Sequence, residues 1–152
     1  MKLSTEALRK LFHLPPADRL LLGQAGAVLL LIRLILPVLP FNTVRALCEH
    51  TRRQTNDRAC PDVQTNILRV TRLVEIAARY SPIRATCLTE ALALAWLLGQ
   101  RGITTNIRIG VARRDSLLAA HAWLEREGRP IYGLSDGDRY VPLLPAGPDV
   151  SR

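Results

Sequence analysis

The stretch Arg84-Ala85-Thr86-Cys87-Leu88-Thr89-Glu90-Ala91-Leu92-Ala93-Leu94 decides how this chain is read. Ser81-Pro82 stands just before it, and a residue that precedes proline disfavours the helical region, so one helix ends there. A new helix begins near Cys87, with Thr86 as a fair capping residue. Leu88, Ala91, Leu92, Ala95 and Trp96 fall on one face at helical spacing, and Gly99 and Gly102 supply the stop. A thiol at the head of a helix sees unpaired N–H groups and the positive end of the helix dipole, and both favour the reactive thiolate. The same N–H groups can hold an oxyanion after attack on a carbonyl. Taken alone, such a cysteine is as readily a small buried packing residue.

After Gly102 the hydrophobic period changes. Ile103, Thr105, Ile107, Ile109 and Val111 alternate, which predicts a strand. Residues 113–118 read as a loop and 120–126 as a second strand. Glu127-Gly128 reads as a tight turn, 129–134 as a third strand, and 141–144 as a short last one. His121 lies on the second strand, sharing a face with Trp123 and Glu125. A histidine flanked by Ala120 and Ala122 leaves room for another side chain, and it can take a thiol proton as a general base. A lone strand histidine is otherwise a satisfied core or surface residue. Trp123 reads as core packing or as the wall behind the histidine.

Upstream, the chain reads as helical to about residue 80. Ser4 can cap a short first helix. Pro15-Pro16-Ala17-Asp18 punctuates, and Asp18 suits the start of a second helix running toward Pro37. A third helix fits 43–53, residues 54–61 read as a loop, and a fourth helix fits 62–80. Val63, Ile67, Val70, Val74 and Ala77 supply the apolar face of that fourth helix. The order is helices, one central helix, then an antiparallel sheet, which is an α+β domain. The division expected is an N-terminal helical region over 1–60, a core over 61–145 and a disordered tail over 146–152.

Composition narrows the function. The 152 residues fit one domain with a real core, and 48% hydrophobic residues argue against disorder. The net charge of +8 suits an acidic partner, a nucleic acid or a membrane surface, but its plainer reading is a soluble basic surface. The arginines are scattered and no aromatics interleave with them, so no nucleic-acid partner is expected. Three cysteines, Cys48, Cys60 and Cys87, match no disulfide framework. No secretory core opens the chain, so a reducing cytoplasm is the expected setting. Residues 20–41 are rich in Leu, Ile and Val, but Arg33 and Pro37 interrupt them. A bilayer needs roughly 20 apolar residues, so this segment reads as a buried or partner-docking helix, with a peripheral membrane contact as the secondary reading.

The two chemical blocks gain meaning as a pair. A cysteine at a helix start, then a histidine on the second strand after that helix, is the chain order of transglutaminase-type thiol enzymes. The blocks 84–94, Leu97-Leu98, Arg101-Gly102-Ile103, Arg108-Ile109-Gly110-Val111 and Ala120-His121-Ala122-Trp123-Leu124-Glu125, with Gly128, resemble the stand-alone leader peptidases of lasso-peptide biosynthesis. The resemblance covers about residues 65–144. It implies a transglutaminase-like papain fold and a cysteine peptidase that removes the leader from a ribosomally made precursor. It implies three partners: the lasso precursor peptide, a separate leader-binding protein and an asparagine-synthetase-like cyclase. No cofactor is implied.

The family usually places an aspartate on the strand after the histidine, to orient the imidazole. Ile131-Tyr132-Gly133-Leu134 holds no acid, so Asp136 is the candidate, with Asp138 or a bare Cys87–His121 dyad as alternatives. With a two-residue turn, His121 faces Leu134 and Asp136 is its diagonal neighbour on one face; a register longer by one residue reverses that facing. Cys48, His50 and Cys60 make a poor zinc site, lacking a fourth ligand and close pair spacing, so no metal is expected. Two rival functions are an acyl transferase using the same dyad with an amine acceptor, and a non-catalytic scaffold docking a partner or membrane through its Leu-rich helix.

Overall fold

The structure, a computed structural model, describes residues 14–38, 40, 43, 62–114, 117–134 and 140–143. Helix α1 spans Pro16–Ile35, α2 Val63–Tyr80 and α3 Cys87–Gly99. Four strands follow: β1 Asn106–Arg114, β2 Leu117–Arg126, β3 Arg129–Tyr132 and β4 Val141–Pro142. They form one antiparallel sheet in the order β3-β2-β1-β4. The α+β reading is what the chain adopts. The expected helices near Ser4 and over 43–53, and the tail after Pro145, fall outside the described residues, apart from a helical Thr43.

Local chemistry explains most boundaries. Helix α1 starts at Pro16, two residues before the expected Asp18, because proline suits the first helical position. Asp18 sits in the first turn instead and pairs with Arg69 of α2. Asp62 caps α2, its carboxylate accepting from Thr65 N at 3.1 Å. The Glu127-Gly128 turn is as expected, with φ of 52° and 74° at the two residues.

One core joins the helices to the sheet. Leu21, Ala25 and Leu29 of α1 pack with Ile67, Val70 and Val74 of α2 and with Leu92, Leu94, Leu97 and Leu98 of α3. Leu124 of β2 completes the cluster from the sheet side. Helix α3 was expected to bury a single face, but Ala91 through Leu94 and Leu97 through Gly99 are all buried. A helix held between other helices and a sheet has little wet side, so apolar residues occupy its whole girth. Leu20, Leu31, Leu34 and Val38 are exposed on α1 and the turn after it. Among the described residues no helix is long and apolar enough to cross a membrane.

The sheet departs from expectation in β3. Arg126 pairs with Arg129 and Glu125 with Pro130, but Leu124 pairs with Tyr132. Ile131 is therefore the extra residue of a bulge, which bends the strand and shifts its register by one. The strand ends at Tyr132 instead of Leu134. The hairpin before it is tighter than expected, with β1 running to Arg114 and β2 starting at Leu117, so most of the expected loop is strand.

Candidate active site

Cys87 is the first residue of α3, a free and half-buried thiol. Thr86 caps the helix: its Oγ1 accepts from Thr89 N at 3.3 Å and lies 2.8 Å from Thr89 Oγ1. Glu90 N donates to the Thr86 carbonyl at 3.0 Å. The N–H groups of Cys87 and Leu88 have no acceptor among the described residues. The head of α3 therefore carries a thiol beside two backbone donors without an acceptor among the described residues, the kind of donors that can hold an oxyanion.

His121 sits in the middle of β2, paired with Gly110 of β1. Strand alternation puts Ala122 and Leu124 on the sheet face toward α3, and His121, Trp123 and Glu125 on the other face. The contacts agree. Trp123 Nε1 donates to Glu125 Oε1 at 2.8 Å, and Arg108 Nε donates to Glu125 Oε2 at 3.0 Å. The Tyr140 ring stacks on His121 with centroids 5.1 Å apart and planes 30° apart, and meets Trp123 at 6.2 Å. Trp123 is buried on the face that carries His121, with Tyr140 against it.

The imidazole lies where β3 has stopped pairing with β2. Its Nε2 donates to the Gly133 carbonyl. A carbonyl only accepts, so Nε2 carries the hydrogen and Nδ1 is the nitrogen able to take a proton. No hydrogen bond joins His121 to Cys87 among the described residues. The described residues therefore do not bring the ring and the thiol into contact: His121 lies on the sheet face away from α3, and Cys87 heads α3.

A second link ties the sheet to the cysteine's helix. Tyr132 Oη donates to Glu90 Oε2, and Glu90 stands one turn after Cys87 on α3. Burial above all, then the Glu90 carboxylate, pushes the Tyr132 phenol well above its usual range, so it stays a donor.

Asp136, Asp138, Cys48, His50 and Cys60 lie outside the described residues. The facing argument for Asp136 assumed an unbroken register, and the bulge at Ile131 removes that assumption. Among the described residues, no group of three or more His, Cys, Asp or Glu side chains could hold a metal ion. A cavity of about 610 Å³ opens between α1 and α2, lined by Leu14, Asp18, Leu68, Arg69 and Ile76 among others; no residue of α3 or the sheet lines it.

Sequence reasoning missed three members of this neighbourhood: Glu90, Gly133 and Tyr140. Gly133 left a trace, since a glycine ending a strand often marks a close approach of backbone. Tyr140 left none, because its partners are far along the chain.

A protein-family model described as the transglutaminase-like superfamily matches residues 26–145. The chain belongs to the transglutaminase-like superfamily. Members are typically cysteine-dependent enzymes, and they include cysteine peptidases and acyl transferases. No curated protein and no solved structure matches the chain. Within the matched region Cys87 is a free cysteine at the head of the helix that packs on the sheet.

Proposed function

We propose that this transglutaminase-like chain is a cysteine peptidase that removes the leader from a lasso-type precursor peptide, with Cys87 as nucleophile and His121 as general base. The observation that carries the reading is the free Cys87 thiol at the head of α3, beside the N–H groups of Cys87 and Leu88, which have no acceptor among the described residues. The blocks around Cys87 and His121 that resemble the lasso leader peptidases support the substrate class.

The steps follow from the chemistry of these groups. Nδ1 of His121 takes the Cys87 proton, and the thiolate attacks the carbonyl at the leader–core junction. The Cys87 and Leu88 amides hold the oxyanion. The C–N bond breaks, the core amine leaves with the proton returned by His121, and the leader stays on sulfur as a thioester. Water, deprotonated by His121, hydrolyses the thioester and frees the leader and the thiol. A separate leader-binding protein would present the precursor, and a cyclase would consume the freed core; the setting we propose is cytoplasmic. A peripheral membrane contact through Leu20, Leu31 and Leu34 stays the secondary reading of that exposed apolar surface.

The test is mass spectrometry of a precursor incubated with its leader-binding protein and this chain. Free leader plus free core, both lost in Cys87→Ala, is the expected result. Cleavage by Cys87→Ala at the wild-type rate would end the peptidase reading. A mass gain on an amine acceptor, without added water, would instead assign the acyl-transfer reaction that the superfamily also contains.

A further inference from the structure

We infer that the peptide carbonyl of Gly133, held in place by the Glu90–Tyr132 link, is the group that orients His121, in the position where a triad uses a carboxylate. The inference rests on the proposed Cys87–His121 pair and adds a positioning group to it.

Three observations converge on this carbonyl. His121 Nε2 donates to it, which fixes the tautomer and leaves Nδ1 as the base. Gly133 has φ of +90°, a conformation that side chains rarely adopt. A Cβ there would also lie 3.1 Å from the Ala122 carbonyl oxygen and 3.2 Å from Trp123 Cα. Only glycine lets the backbone press this closely on β2, and that approach is what brings its carbonyl to the imidazole.

The carbonyl is also tied to the thiol's own helix. The bulge at Ile131 turns Tyr132 so that it pairs with Leu124 and reaches Glu90. Glu90 and Cys87 are three residues apart on α3. An unbroken path therefore runs from Cys87 through α3, Glu90 and Tyr132 to the Gly133 carbonyl and His121 Nε2. Tyr140, stacked on the ring, limits its rotation about the remaining bond. A triad carboxylate does two things: it selects a tautomer and it fixes the ring's direction. The Gly133 carbonyl and its anchors do both, without the added negative charge.

The tautomer can be read without substrate, so the result stands apart from whether the chain cuts a precursor. Long-range proton–nitrogen correlation spectra of nitrogen-15-labelled protein report which imidazole nitrogen of His121 carries the hydrogen. The expected result is the Nε2–H tautomer in the wild type and unchanged in Asp136→Ala. Tyr132→Phe, which cuts the anchor and keeps the ring, should give a mixed population of the two tautomers. The Nδ1–H tautomer in the wild type, a change of tautomer in Asp136→Ala, or a Tyr132→Phe spectrum identical to wild type would each overturn the inference.

Discussion

Placing a methyl group on Gly110 should loosen the sheet beside His121. Gly110 is buried in β1, between His121 of β2 and Pro142 of β4. A Cβ there would lie 2.8 Å from Trp123 Cη2 and Cζ3, and 2.8 Å from the Val141 carbonyl oxygen. The Trp123 ring is only 2% exposed, and the other neighbour is backbone, so neither yields freely. Overpacking of this kind costs about 1–3 kcal/mol. Removing a glycine returns about 0.4–1 kcal/mol through the unfolded chain, so the net loss in Gly110→Ala is about 1–2 kcal/mol. For a chain of this size each kcal/mol lowers Tm by about 2–4 °C, so a fall of roughly 2–8 °C is expected. The element that gives way is β4, which is two residues long and adds one further bond, Leu143 N to Ile109 O at 2.8 Å. Thermal unfolding followed by circular dichroism gives Tm, and hydrogen exchange reports the protection of the Leu143 amide. A Tm at or above wild type, or unchanged Leu143 protection, would refute the crowding argument.

The other predictions can be checked on the same protein. Leu124→Ala should cost about 2–5 kcal/mol in chemical denaturation, because Leu124 is fully buried where β2 meets the helices. Leu31→Ala, at a position 57% exposed, should stay within about 0.5 kcal/mol; equal effects at the two positions would contradict the packing described. Tyr132→Phe should cost about 1.5–3 kcal/mol, the worth of a hydrogen bond to a charged group, and an unchanged midpoint would place the phenol elsewhere. The Asp62 carboxyl is held below its ordinary value by hydrogen bonds from the Thr65 side chain and then its backbone. A carboxyl lowered in the folded state stabilises above its unfolded value of 3.8, and that contribution fades as pH falls through the folded value. Asp62→Ala should therefore be less stable than wild type at neutral pH and nearly equal to it in strong acid; a gap that stays constant with pH would count against the cap.

What could be read from the sequence was what local chemistry decides. Thr86 announces its helix because a short polar side chain before an apolar run satisfies the first free amides. Glu127-Gly128 announces its turn, and the alternation after Gly102 announces a strand, which begins at Asn106. The superfamily was legible in the order of the Cys87 and His121 blocks. What was not legible depends on contacts between distant segments. The bulge at Ile131 goes with the reach of Tyr132 to Glu90, 42 residues away in sequence, and nothing local marks it. The burial of Ala93, Leu94 and Leu97 depends on α1 and α2 closing over α3, which a helical wheel of α3 alone does not contain. The stacking of Tyr140 on His121 belongs to the same class.

The pairing of sulfur with imidazole is the claim on which the chemistry depends, and it can be measured without knowing the precursor. The rate of iodoacetamide labelling at Cys87, followed by peptide mass mapping against Cys48 and Cys60, reports thiol activation directly. Cys87 is expected to label fastest in the wild type and to slow by about ten-fold or more in His121→Ala, as for loss of a general base. Equal labelling of Cys87 in the two proteins would mean that His121 does not act on the thiol.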